Sequence, residues 1–311
     1  MGTCFLVSSG KGGTGKTMFS VNLGATLAKA GKSVVIIDFD MGLRNLDLYF
    51  GLENNVVFDV YDVMTGLCTI KQALLKDKDI DGLYLLAASP DRSDGTITPL
   101  HMKVLCGKLK ERFDYVIVDA PSGIDDGLVT ASAGADAAII ITTPEYSALR
   151  DADNLDRELA QLGIEKRYLI VNNVDVDIMA EGYCPTLREI SSMINCELKG
   201  IILTDRNIRI STNLGVPVVT KDDTYIAENF RRIAARLTAD DENGKSEDEI
   251  KSEKLAESEK EAGLAGDVPE ESAEAVSGDG GYEESENGFP RAALGADGED
   301  EARTAHVGDD R

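Results

Sequence analysis

Gly10-Lys11-Gly12-Gly13-Thr14-Gly15-Lys16-Thr17 follows the apolar triplet Phe5-Leu6-Val7 and precedes a helical pattern over residues 18–30. The octet fits G-x-x-x-x-G-K-T in the strand-loop-helix context that the pattern requires. Glycines there let backbone N–H groups curl around phosphate oxygens, and the helix that follows presents its positive dipole end to the same anion. A lysine in the seventh position reaches the β- and γ-phosphates, and the hydroxyl after it is placed to ligate Mg²⁺. The alternative, a fortuitous glycine-rich turn, has no reason to supply the four fixed positions, Gly10, Gly15, Lys16 and Thr17, between a strand and a helix. Residues 10–17 are therefore the expected phosphate cradle, with Lys16 and Thr17 as its charged and metal-facing members and ATP with Mg²⁺ as its ligands.

Outward from the loop, short β-branched runs alternate with amphipathic stretches. Strands are expected at 5–7, 34–37, 83–86, 115–118, 138–141, 168–171, 200–203 and 216–219. Several are apolar almost throughout, as strands buried on both faces of a parallel sheet are. Helices are expected at 18–30, with Gly31 as a C-terminal cap, and at 100–112, 147–162 and 222–237. Strand-helix repetition of this kind predicts an α/β fold, a doubly wound, mostly parallel sheet with helices on both faces. Ligands then bind at the carboxyl ends of the strands.

Charge divides the 311 residues unequally. The net charge is −24, of which residues 239–311 hold about −17. Two units are predicted: a globular ATPase domain over 1–238 and an acidic low-complexity tail over 239–311, whose composition is that of disordered chains. A mildly acidic body repels nucleic acid and anionic surfaces, so a nucleic-acid partner is not expected. The five cysteines, Cys4, Cys68, Cys106, Cys184 and Cys196, form no C-x-x-C pair, and read as packed, reduced thiols of a cytoplasmic protein. The N-terminus has no basic-then-apolar leader, and no apolar run approaches the roughly 20 residues that span a bilayer. His101 and His306 are the only histidines, too few for a multi-histidine metal site.

Two apolar strands end in carboxylates. Tyr115-Val116-Ile117-Val118-Asp119 has the form of a Walker B strand, whose aspartate holds the Mg²⁺ shell through water. Val34-Val35-Ile36-Ile37-Asp38-Phe39-Asp40 delivers two more carboxylates to the same sheet edge. An isolated strand-end aspartate is more often a cap or turn residue, so each is weak evidence by itself.

With Lys11 directly after its first glycine, the loop reads K-G-G-x-G-K-T and resembles the deviant Walker A motif of the ParA/MinD family of P-loop ATPases. Asp38-Phe39-Asp40-Met41-Gly42-Leu43-Arg44-Asn45-Leu46-Asp47 looks very like the corresponding run of the family's MinD branch. Similarity extends through Asp119-Ala120-Pro121-Ser122-Gly123-Ile124, through residues 143–151 and through residues 207–218, so it covers about residues 3–237. The resemblance implies that ATP closes a homodimer and that hydrolysis reopens it, as a spatial switch in placing the division septum. Lys11 would then reach the partner's phosphates, Asp38 would orient the attacking water, with a place in the metal's water shell, and Asp40 would belong to the nucleotide-sensing switch. Asn172 would bind the adenine edge and Pro217 would line the base, beside Met18 of the loop's helix. Implied partners are a second copy, a MinC-like division inhibitor, a MinE-like activator and the inner membrane surface.

Two positions and one segment depart from the family pattern. Met18 stands where many relatives have a second threonine, and Asn173 where an arginine is common. The basic amphipathic helix that ends many members has no counterpart; the nearest candidate, residues 227–237 with Arg231, Arg232 and Arg236, reads better as the last core helix. A flagellar-number or plasmid-partition ATPase of the same fold, and a nucleotide-binding scaffold with little hydrolysis, stay open as rivals.

Overall fold

Apolar strands surrounded on both faces need two layers of helix, and the computed structural model has that form. It describes residues 1–90 and 97–243. In chain order the elements are β1 (Thr3–Ser8), α1 (Lys16–Lys29), β2 (Val34–Asp38), α2 (Val60–Thr65), α3 (Ile70–Ala73), β3 (Leu75–Lys76) and β4 (Leu83–Leu86). Next come α4 (Pro99–Lys110), β5 (Tyr115–Asp119), α5 (Asp126–Ser132), β6 (Ala137–Thr142), α6 (Tyr146–Gln161) and β7 (Lys166–Val174). The rest are α7 (Val176–Ala180), α8 (Leu187–Met193), β8 (Glu197–Leu203), α9 (Arg206–Asn213) and α10 (Tyr225–Asn243). Short 3-10 turns occupy Leu46–Phe50 and Val218–Thr220.

The sheet order is β3-β4-β2-β5-β1-β6-β7-β8, parallel except for the antiparallel pair β3 and β4. Between β2 and β1 lies β5, so the carboxyl ends of these three strands converge. Register sharpens the convergence. Asp119 pairs with Val7 of β1 on one side and with Asp38 of β2 on the other. Both aspartates thus stand level, at the edge from which the loop 9–15 departs.

Hydrophobic burial is split across the sheet. One cluster joins alternate strand residues such as Leu6, Ile37 and Val118 to α4 and α6. The other joins Phe5, Ile36 and Ile117 to α1 and α10, where the rings of Phe19 and Phe230 lie 5.8 Å apart. Cys4, Cys68 and Cys106 are buried and Cys184 and Cys196 partly so, all as free thiols.

The run at 216–219 is not a strand. Pro217 has no N–H to give a ladder, and the segment instead closes a 3-10 turn, with Thr220 N–H donating to the Pro217 carbonyl at 3.1 Å. Helix α1 fastens it there: Asn22 Oδ1 accepts from Val219 N–H at 3.3 Å, and Lys29 Nζ donates to the carbonyls of Val219 and Thr220. The helix expected at 222–237 is α10, which continues to Asn243. Phe230, Ile233, Ala234 and Leu237 are all buried, so its apolar face belongs to the core. Residues 244–311, most of the predicted tail, lie outside the described residues.

Candidate functional site

The loop 9–15 must turn tightly to bring its N–H groups to one point, and two glycines there have positive φ: Gly13 at 79° and Gly15 at 97°. At Gly15 a side chain is excluded as well as strained, since a Cβ would sit 2.3 Å from Asn172 Nδ2. The loop is braced from several directions. Ser9 Oγ donates to the Lys11 carbonyl at 2.7 Å, Gly123 N–H to the Ser9 carbonyl, and Asn172 Nδ2 to the Thr14 carbonyl at 2.8 Å. Gly10 is pressed against the backbone of Asp151, where a Cβ would meet the carbonyl oxygen at 2.4 Å.

At the start of α1 the side chains separate into two groups. Lys16, Met18, Phe19 and Ser20 are buried, while Thr17 is half-buried and Lys11 and Gly12 are exposed. Thr17 Oγ donates to Asp119 Oδ2 at 2.7 Å, and Ser20 Oγ donates to Asp119 Oδ1 at 2.8 Å. Asp38 accepts from the N–H groups of Asp40 and Leu46, both at 3.1 Å, so one carboxylate ties down both ends of the loop between β2 and the turn Leu46–Phe50.

Three buried ionisable groups share this small volume. Burial pushes Asp38 up to about 7, helped by the Asp119 charge and opposed by its two backbone hydrogen bonds. Burial likewise pushes Asp119 up to about 6, opposed by the Thr17 and Ser20 hydroxyls and by Lys16. Burial lowers the Lys16 pKa, while Asp119 and Asp40 pull it the other way. Two carboxylates and a lysine with their pKa values pushed toward neutrality mark a site where charge is held ready rather than solvated.

A divalent cation and a polyphosphate fit this set. The Thr14 hydroxyl is buried without a hydrogen-bond partner on the rim of the glycine cradle. A hydroxyl and a strand-end carboxylate are the oxygen donors that Mg²⁺ takes when phosphates and water complete its shell. No group of three or more His, Cys, Asp or Glu side chains that could hold a metal ion is found among the described residues.

Beside Thr17 opens a cleft of about 520 Å³, walled on one side by Asn45, Leu48 and Tyr49 and on the other by Thr212, Asn213 and Leu214. Gly215 packs so closely on the opposite wall that a Cβ would lie 2.9 Å from the Gly51 nitrogen. A second, more apolar groove of about 460 Å³ lies at the far end of α1 near Lys29, Asp222 and Arg231, and is not lined by Asp38 or Asp119.

The residues singled out from sequence fall into three sets. Gly10, Lys11, Gly12, Gly13, Thr14, Gly15, Lys16, Thr17, Asp38 and Asp119 converge at one sheet edge, with Asp40 two residues beyond the end of β2. Asn172 reaches the same loop from β7, through its bond to the Thr14 carbonyl. Met18 and Pro217 are buried on the α1 side, Pro217 at the start of the turn that Asn22 and Lys29 fasten. Sequence reasoning missed Ser20, Asn22 and Tyr49. Ser20 and Asn22 lie inside the helix expected at 18–30, and no local signal separates them from its packing residues.

Residues 3–170 match the AAA domain family. The chain is 44% identical to the septum site-determining protein MinD of Synechocystis sp. over 242 residues, 78% of this chain and 91% of that protein. Its structure resembles that of the MinC:MinD cell division protein complex of Aquifex aeolicus, with a TM-score of 0.71 and 34% identity over 76% of this chain and 96% of that one. It also resembles the septum site-determining protein MinD of Pyrococcus horikoshii complexed with Mg-ADP, with a TM-score of 0.69 and 26% identity over 76% and 96% of the two chains.

Proposed function

The chain belongs to the MinD family of septum site-determining ATPases, and from that premise we propose that residues 10–17 bind Mg-ATP as the input of a dimerisation switch. The observation behind this reading is the level pair Asp38 and Asp119 beside Lys16, with the Thr17 hydroxyl already bonded to Asp119.

Mg²⁺, when bound, neutralises charge across the β- and γ-phosphates. Thr17 Oγ and Asp119, already joined by a hydrogen bond, would hold it, the aspartate through water. The curled backbone of residues 10–15 and the N-terminus of α1 take the phosphate oxygens, and the buried Lys16 ammonium sits against the β- and γ-phosphates. Asp38 orients the water that attacks the γ-phosphorus and would have a place in the metal's water shell. As the new P–O bond forms, the bond from the γ-phosphorus to the β–γ bridging oxygen breaks and the water's protons pass to the released phosphate and solvent, giving ADP and inorganic phosphate. Phosphoryl transfer needs little more than positioning and fixed charge, which these groups supply. Asn172, Met18 and Pro217 border the nucleoside side of the site.

Lys11 is exposed on the loop, with its neighbours Gly12 and Gly13, and in this proposal it crosses to the phosphates of a second copy. ATP then favours the dimer because the γ-phosphate adds contacts that ADP lacks, through Lys11, Lys16 and the segment after Asp40. The dimer engages a MinC-like division inhibitor and a MinE-like activator in the cytoplasm, and it acts at the inner membrane surface. Membrane recruitment enters through a partner or through residues beyond 243. Of the arginines of α10, Arg231 and Arg232 pair with Glu228 on the exposed face of their own helix, and Arg236 donates to the Lys199 carbonyl. Residues 1–238 form the ATPase unit, with the acidic stretch as an appendage.

Equilibrium binding of ATP with Mg²⁺, measured on the full chain and on Lys16→Ala, tests the site. The proposal expects binding by the natural chain and its loss in the variant; unchanged affinity in Lys16→Ala would remove residues 10–17 from the account.

A further inference from the structure

The residue after Phe19 has no part in the phosphate pattern, yet it touches the site's deepest carboxylate. We propose that Ser20 is a positioning residue for the Mg²⁺-nucleotide site, fixing Asp119 in the orientation that serves the metal. The proposal rests on the assignment of Thr17 and Asp119 to Mg²⁺ above.

Ser20 is fully buried, and its Oγ–H donates to Asp119 Oδ1 at 2.8 Å, while Thr17 Oγ–H donates to Oδ2 at 2.7 Å. The two hydroxyls are three residues apart on α1, so they project from one helix face, one turn above the other. Each takes a different oxygen of the same carboxylate. That division matters, because the terminal torsion of an aspartate is broad and roughly two-fold. A single donor would leave the carboxylate plane free to turn about its own bond. Two donors from a rigid helix, one on each oxygen, hold the plane against the end of β5.

The buried strand on which Asp119 sits fixes its backbone on both sides, through Val7 and Asp38. The side-chain torsion is the remaining freedom, and Ser20 removes it from the side away from the phosphates. Thr17 cannot do this alone, since its oxygen is also the metal's ligand. Ser20 bonds to Asp119 and acts through that carboxylate.

A merely structural role, satisfying a buried acceptor, would lower stability and leave the metal's contribution to binding intact. Calorimetric titration of ADP into the full chain, with Mg²⁺ and with chelator, separates the two. Outer-shell partners of metal ligands typically contribute tenfold to a hundredfold in metal affinity. Ser20→Ala is therefore expected to lose about tenfold or more of the gain that Mg²⁺ gives to ADP binding, with metal-free ADP affinity within about twofold of the natural chain. Ser20→Cys keeps the volume with a weaker donor and is expected to lose part of the same gain, which covers the case of an alanine variant that does not fold. Ser20→Thr, which keeps the hydroxyl, is expected to recover it. An undiminished Mg²⁺ gain in Ser20→Ala or Ser20→Cys would overturn the proposal, as would equal losses with and without metal. A natural chain whose ADP affinity ignores Mg²⁺ would overturn the metal assignment itself, and Ser20's part with it.

Discussion

Replacing Gly15 by alanine tests the geometry of the phosphate loop before any nucleotide is added. Two costs are legible. At φ 97° and ψ 25° an L-residue is disfavoured by about 1–2 kcal/mol. The new Cβ would also stand 2.3 Å from Asn172 Nδ2, so Asn172 must swing aside and release the Thr14 carbonyl it holds at 2.8 Å. A buried carbonyl left without its donor costs a further 1–3 kcal/mol or so. Together these give roughly 2–5 kcal/mol, which for a domain of this size corresponds to a fall in melting temperature of about 5–15 °C. Gly13 is the control. It has φ 79°, but a Cβ added there would meet nothing within 4 Å, so Gly13→Ala should show only the conformational cost, about 1–2 kcal/mol. Thermal unfolding of the nucleotide-free full chain, followed by circular dichroism, reads both. Adding Asn172→Ala to Gly15→Ala should cost little more, because the bond it removes is already broken. Equal shifts for the two glycine variants, or additive losses in the double variant, would refute the brace between Asn172 and the loop.

Other outcomes follow from the same structure. Asp38, raised to about 7, and Asp119, raised to about 6, hold protons in the folded chain at pH values where the unfolded chain has released them. Their contribution to stability is thus full below about pH 4 and lost as pH climbs through 6 and 7. The nucleotide-free melting temperature should fall from pH 5 to 8, and Asp38→Asn should flatten that fall; a steeper fall in the variant would contradict the assignment. Phe230→Ala removes a fully buried ring packed on Phe19 and should cost about 3–5 kcal/mol in denaturant unfolding; a loss under 1 kcal/mol would mean that α10 is not a core helix. Sedimentation with liposomes in ATP, run with the partner if the chain alone does not sediment, should be unchanged by Arg232→Ala, since that side chain pairs with Glu228 on its own helix and its helix spends the apolar face in the core. Abolition would return α10 to the membrane question.

The fold was legible wherever burial on both faces left a plain mark. The apolar runs at 34–37, 115–118 and 138–141 became β2, β5 and β6 with ends within a residue or so. What failed was local in a different sense. The two residues of β3 are too few to show a period, and the run at 216–219 has strand composition but a proline where a ladder needs an N–H. For the site, the loop and the strand-end carboxylates could be read one at a time, because each has its own pattern. Their alignment could not, since Asp38 and Asp119 become level only through the placement of β5 between β2 and β1. Ser20 and Asn22 are hidden for the same reason: their partners, Asp119 and Val219, lie far along the chain, and a small polar residue inside a helix has no signature of its own.

The central claim is that the site is a switch closed by a second copy, and sedimentation velocity tests it most directly. The natural chain and Lys11→Ala would be run with Mg-ATP and with Mg-ADP, with nucleotide binding measured alongside. The account predicts a dimer only for the natural chain in ATP, and a monomer for Lys11→Ala in both nucleotides although it still binds them. A Lys11→Ala variant that dimerises with ATP as the natural chain does, or a natural chain whose assembly ignores the nucleotide, would contradict it.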